Sequence, residues 1–190
     1  EPATALPVAA TQTDKALGTA DATTAQVRYD KQGHVIAELS GEGSAALAAL
    51  GASPTQAQID AIWTQYGTSY AYDAAGRRIS MTDANGNKTL FYYSQDGLLR
   101  FTINAMGEVT GNSYDEFRQL VSTTRYGTRL SGATLATLTG GLNNSTVGNA
   151  ISALANAALD STQTISYNQR GQVVSSTDAL NQTSTYTYDA

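Results

Sequence analysis

Tyr70-Ala71-Tyr72-Asp73-Ala74-Ala75-Gly76-Arg77, followed by Thr82-Asp83-Ala84-Asn85-Gly86, is the stretch whose reading decides the fold of this chain. Both parts contain Asp-x-x-Gly. A type I turn favours Asp, Asn or Ser at its first position, where the side chain accepts from backbone N–H groups further on, and Gly at its fourth, where φ turns positive. Tyr70 and Tyr72 are two apart, so in a strand they share a face. The stretch reads as strand, tight turn, strand, tight turn.

Working outward, the pattern repeats. Tyr72, Tyr93 and Tyr114 follow one another at intervals of 21 residues, Tyr167 and Tyr188 are again 21 apart, and Tyr29 opens a further copy. The turns recur as Asp30-x-x-Gly33, Ser94-x-x-Gly97, Asn104-x-x-Gly107 and Asn168-x-x-Gly171. Asp178-x-x-Asn181 is a near copy, Asn being a tolerated non-glycine residue at positive φ. Between turns stand segments such as Lys88–Tyr93 and Leu99–Ile103, of β composition and ordinary strand length. Each unit is thus two antiparallel strands and two turns. Like strands of successive units lie about 9.6 Å apart, and the tyrosines are expected to form ladders across them.

These residues resemble the YD repeat of the RHS (rearrangement hot spot) family. The resemblance rests on Arg28-Tyr29-Asp30-x-x-Gly33, on the stretch Tyr70–Gly86, on Tyr114-Asp115-Glu-Phe, and on Ser176-Thr177-Asp178-Ala-x-Asn181. It covers about residues 26–43, 69–127 and 163–190. It implies a mainly β fold: an antiparallel hairpin meander forming part of a spiral β-sheet shell, as in bacterial polymorphic-toxin RHS proteins, insecticidal toxin-complex shells and the teneurins. Arg118-Gln119 stands where the family has Gly-Arg, so the turn at Asp115 is expected to be remodelled. Ala84 and Ala179 replace the proline usual after Thr-Asp.

Two insertions interrupt the array, at 44–68 and 128–162, and they resemble each other. Leu39-Ser40-Gly41 recurs as Leu130-Ser131-Gly132, each leading into an Ala/Leu-rich turn of helix, Ser44–Leu50 and Ala133–Leu138, which Gly51 and Gly140-Gly141 stop. A longer helix follows each. In the first, Ser53 is the expected N-cap with Pro54 at N1, and Ile59, Ile62, Trp63 and Tyr66 form a stripe. In the second, Asn144 or Ser145 can cap, and Val147, Ile151, Leu154 and Ala158 form the stripe. Such short pairs need a partner, expected to be the edge or a face of the sheet. Residues 1–25 read as a linker or frayed segment. The final repeat, 163–190, reads as truncated just as its turn begins, which makes the chain a slice of an array.

Composition narrows the function. Of 190 residues 14% are charged, 41% are hydrophobic, 17 are Gly and 11 Tyr, so a core can form and wholesale disorder is excluded. A net charge of −5 with no Lys/Arg run argues against nucleic acid as a partner, and no stretch is apolar enough for a membrane span. The absence of Cys excludes disulfides and thiolate chemistry.

The single His, His34, has no nucleophile elbow or metal motif beside it. The turn carboxylates lack the spacing of an EF-hand or a calcium β-roll, and no phosphate-binding loop is present, so no cofactor or metal is expected. No Asp-Pro-x-Gly region is present either, which the resemblance associates with self-cleavage, so the piece is expected neither to cut itself nor to act as a toxin.

The chain is therefore read as a non-enzymatic structural segment of a large exported bacterial protein, secreted or at the cell surface, whose shell encloses or presents a toxin or other polypeptide. Its working residues are the strand tyrosines (29, 72, 93, 114, 167, 188), the turn carboxylates Asp30, Asp73, Asp83 and Asp178, and the turn glycines (33, 76, 86, 97, 107, 171). Its partners are the rest of the array and that cargo, with self-association through open strand edges. Two alternatives stand. One is a surface adhesin or carbohydrate-binding module, meeting a cell-surface glycan through exposed aromatics such as Trp63, Tyr70, Tyr72, Tyr92 and Tyr93 or through the insertions. The other is an enzyme with a cleft built by the insertions near His34.

Overall fold

The computed structural model describes residues 26–189. The expected linker at 1–25 lies outside the described residues. The fold is mainly antiparallel β, with twelve strands and four short helices among the described residues. The chain divides into two compact units, one running to Ala71 and including Thr82–Gly86, the other holding Tyr72–Met81 and everything from Asn87 onward.

In the first unit, β1 (Val27–Tyr29), β2 (Val35–Leu39) and β3 (Gly67–Tyr72) follow one another as an antiparallel meander. Leu39 pairs with Gly67, so the insertion leaves and returns at neighbouring positions. It holds α1 (Gly41–Ala48) and α2 (Gln56–Tyr66). The first helix starts earlier than its Ala/Leu run suggests, because Ser40 caps it by accepting from the Gly43 N–H at 3.1 Å. The second starts later. Thr55, not Ser53, is its N-cap, since Thr55 and Gln58 form a capping box in which each side chain meets the other's backbone N–H. Its stripe is only half-buried, and no α2 residue is fully buried.

In the second unit the strand order is β4 (Arg78–Thr82), β5 (Lys88–Tyr93), β6 (Leu99–Ile103), β7 (Val109–Tyr114), β8 (Leu120–Arg125), β10 (Ser161–Tyr167), β11 (Val173–Thr177) and β12 (Thr183–Thr185). The short β9 (Gly141–Leu142) pairs in parallel with the end of β5. Arg125 pairs with Ser161, so β8 and β10 are adjacent despite the insertion between them. That insertion holds α3 (Gly132–Leu135), capped by Ser131, and α4 (Ser145–Ser152), capped by Asn144.

The core of this unit is where the insertion meets a face of the sheet. Leu90, Tyr92, Ile103 and Val109 of β5–β7 are buried against Leu130, Leu138, Val147 and Ile151. Each such side chain contributes roughly 1.5–3 kcal/mol on burial. The repeated Leu-Ser pairs have a shared role here: Leu39 and Leu130 are buried anchors, and Ser40 and Ser131 cap the helices that follow.

The turn at Asp115 is not remodelled, contrary to expectation. Arg118 takes φ of 67° where the other copies have Gly, and the turn keeps the bonds Arg118 N–H to Asp115 O (3.1 Å) and Asp115 N–H to Gln119 O (3.0 Å). The Arg118 guanidinium donates to the Asp96 carbonyl of the turn at Ser94 at 2.8 Å, which offsets part of the cost of the left-handed conformation.

Candidate functional site

An antiparallel meander puts alternate turns on opposite edges of its sheet. In the second unit the turns at Ser94, Asp115 and Asn168 close the hairpins β5–β6, β7–β8 and β10–β11 on one edge. The turns at Asn104 and Asp178, and the second insertion, lie on the other.

All these turns are built alike. The residue at the fourth position is left-handed: the turn glycines 33, 76, 86, 97, 107 and 171 have φ between 74° and 88°, and Asn181 has 61°. The first residue's side chain then caps the turn. Asp73 Oδ1 accepts from the N–H groups of Ala75 (2.9 Å) and Arg77 (3.0 Å), and Asp30, Asn104, Asp115, Asn168 and Asp178 do the same in their own turns. Asp83 accepts from Asn85 at 2.9 Å, and Ser94 Oγ from Leu98 at 3.0 Å. The carboxylates thus act as turn caps. His34 belongs to its own turn, with Nδ1 2.8 Å from Asp30 Oδ2.

The tyrosines do something that the idea of a ladder does not describe. The Tyr93 hydroxyl donates to the carbonyl of Arg78 (2.8 Å), Tyr114 to Leu99 (3.0 Å), Tyr167 to Leu120 (2.9 Å) and Tyr188 to Val173 (2.9 Å). The acceptor is each time the residue two past the left-handed position of the previous turn on the same edge: Gly76, Gly97, Arg118 and Gly171. Each ring therefore ties the mouth of one turn to the chain just leaving the previous turn on that edge. Donor and acceptor are 15 residues apart in three cases and 47 in Tyr167, because the insertion intervenes without breaking the link. Tyr72 stands half-buried at the end of β3, and Tyr29, at the end of β1, is 55% exposed.

Electrostatics reinforce the first of these links. Arg77 Nη2 lies 2.6 Å from Asp73 Oδ2, its Nε donates to the same oxygen at 2.8 Å, and its guanidinium sits 5.4 Å from the Tyr93 ring centroid. Desolvation raises the Asp73 pKa, but the hydrogen bonds from Arg77 and Ala75 and the Arg77 charge outweigh it and hold the carboxyl below its ordinary value. Burial pushes the Tyr93 phenol up.

Two residues that matter were not among the expected working set. Tyr92, one residue off the tyrosine period, is buried, and its hydroxyl accepts from the N–H groups of Thr139 (3.1 Å) and Gly140 (3.0 Å), pinning the insertion to β5. Its place between Phe91 and Tyr93, on the opposite face from both, was the available signal. Arg118 is the other, marked only by its mismatch with the pattern. Of the aromatics considered for sugar stacking, Tyr92 is buried, while the Trp63 ring carries the Arg28 guanidinium 4.1 Å from its centroid.

Among the described residues no group of three or more His, Cys, Asp or Glu side chains is placed to hold a metal ion, and no helix is long and apolar enough to cross a membrane.

The family model described as RHS Repeat matches residues 64–88, from the last turn of α2 through the stretch Tyr70–Gly86 to the start of β5, so an RHS repeat stands there. No curated protein matches the chain. Among solved structures it is similar to TcdB2-TccC3 without its hypervariable C-terminal region, at 16% identity and a TM-score of 0.35. It is also similar to the Photorhabdus luminescens Tc holotoxin pore (14%, 0.32) and to TcdB2-TccC3-Cdc42 (14%, 0.34). In each case the match covers 87% of this chain and 10% of the other, so the chain spans about a tenth of the length of those proteins.

Proposed function

We propose that this RHS-repeat chain is a non-catalytic length of wall in a large exported bacterial protein, one that encloses or presents a toxin or other polypeptide. The observation that carries the reading is the serial tyrosine link. Four hydroxyls make the same bond to the same place beside the previous turn on the same edge, whatever side chains occupy the faces of the sheet. Such a device fixes the pitch of a repeating wall, and it leaves the faces free for what the wall contains. The hydroxyls of Tyr93, Tyr114, Tyr167 and Tyr188 and the carboxylates of the turns are engaged in building that wall, which supports a scaffold over an active site.

The test is protection of cargo in the parent protein. A polypeptide encoded with the array resists protease in the intact assembly and becomes susceptible when Tyr93, Tyr114, Tyr167 and Tyr188 are changed together to Phe. Cargo digested equally fast from the intact assembly would overturn the reading.

A further inference from the structure

The face of β6–β8 turned away from the helices carries a site unrelated to the turns. Ile103 and Val109 point into the core, so Thr102 and Thr110 point the other way. Register places Thr102 beside Thr110 and Thr110 beside Arg125, making one row across three strands. These side chains line a half-open groove of about 480 Å³, within the range of small-ligand sites. Tyr126 borders the groove, with its ring packed beside Phe101 against the core on the other face.

The groove's polar groups fall into two sets. Glu108 is engaged at the rim: Arg129 Nη2 lies 2.5 Å from its Oε1, and Asn104 Nδ2 donates to its Oε2 at 2.7 Å. The Arg125 guanidinium and the Thr102 and Thr110 hydroxyls have no side-chain partner among the described residues, and Arg125 is exposed. One free planar guanidinium matches one carboxylate in a bidentate fork. Hydroxyls that both donate and accept match groups that do the same, as sugar hydroxyls do. The neighbouring Glu108 carboxylate disfavours more highly charged anions such as phosphates.

We propose that this groove binds an acidic saccharide, with a uronic-acid carboxylate on Arg125 and sugar hydroxyls on Thr102 and Thr110. The site is local to β6–β8 and stands or falls independently of the wall reading.

The test is amide NMR of the chain titrated with trigalacturonate, maltotriose and triglutamate. Trigalacturonate gives saturable shifts at residues 102, 110 and 125, and the other two do not. Arg125→Gln, an exposed strand position, weakens binding at least tenfold with the fold intact by circular dichroism. Glu108→Gln frees Arg129 and tightens binding severalfold. The proposal is overturned by an absence of saturable shifts with trigalacturonate, or by equal binding of maltotriose, which would remove the carboxylate's role. Equal binding of triglutamate would make the ligand an acidic peptide, and undiminished binding by Arg125→Gln would remove the anchor; either result overturns it too.

Discussion

Tyr167→Phe and Tyr114→Phe remove the same atom from the same kind of link, yet they should not cost the same. Phe keeps the ring and deletes only the hydroxyl, so each change isolates one hydrogen bond to a main-chain carbonyl. The Leu99 oxygen, which Tyr114 serves, also accepts from Asn112 Nδ2 at 3.2 Å. The Leu120 oxygen, which Tyr167 serves, has no other side-chain donor among the described residues. A net hydrogen bond contributes about 0.5–1.5 kcal/mol, more where its loss leaves a partly buried acceptor short of a donor. Tyr167→Phe is therefore expected near the top of that range, about 1–1.5 kcal/mol, and Tyr114→Phe near the bottom, about 0.5 kcal/mol.

For a chain of this size 1 kcal/mol moves Tm by about 2–4 °C. The finer assay is urea unfolding followed by circular dichroism, with a double-mutant cycle on Tyr114→Phe and Asn112→Ala. With Asn112 gone, the cost of Tyr114→Phe should rise to that of Tyr167→Phe. Equal costs for the two single changes, or a Tyr114→Phe increment indifferent to Asn112, would refute the reasoning.

Three further outcomes follow from the same geometry. Tyr92→Phe strips the acceptor from two amides at once and should cost about 2 kcal/mol or more, with faster hydrogen exchange at Thr139 and Gly140; unchanged exchange would separate Tyr92 from the docking of the insertion. Gly107→Ala should destabilise more than Gly97→Ala. Both are left-handed, but a Cβ at Gly107 would lie 2.5 Å from the Leu130 carbonyl oxygen while at Gly97 it meets open space, so equal urea midpoints would argue against that contact. Asp73 titrates below its ordinary 3.8 in the folded chain, so its contribution to stability is present above that pH and is lost as pH falls through the lower folded value. Asp73→Asn should accordingly flatten part of the acid limb of the stability profile, and a profile of unchanged shape would assign the acid sensitivity to other carboxylates.

The turns were legible in the sequence because their requirement is local. A capping side chain and a left-handed residue three positions along leave a mark that a single chain displays, and the strands between them follow from alternation and length. The partners of the tyrosine hydroxyls were not legible, because a main-chain carbonyl has no letter. The period located Tyr114 and Leu99 without indicating that one bonds the other. The Arg118 turn was illegible for a related reason: its compensation comes from Asp96 in the neighbouring turn on the same edge, and a mismatch taken alone suggests distortion. The start of α2 lies at Thr55 rather than Ser53 because two good capping residues stand two apart, each with a Gln three places on, and the box that closes is the one between Thr55 and Gln58. The groove at Arg125 was hidden until register aligned Thr102, Thr110 and Arg125, which lie far apart in the chain.

The period and the core prove to belong to different parts of the structure. Under the second insertion the sheet face is apolar, with Leu90, Tyr92, Ile103 and Val109 buried. Beyond it the paired rows run Gly111–Thr124–Thr162 and Ser113–Ser122–Thr164–Thr177–Thr183, without one apolar side chain. There hydroxyls bond across the strands, Thr124 to Thr162 at 2.9 Å and Thr177 to Thr183 at 2.8 Å. The tyrosine link is unchanged across this difference: Tyr93 and Tyr114 make it beside the apolar region, Tyr167 and Tyr188 beyond it. A 21-residue spacing held by the turn edge places no demand on what the faces carry. That is why an insertion can arrive with its own apolar patch beneath it, and why Arg125 is still followed by a paired strand at Ser161 once the insertion returns.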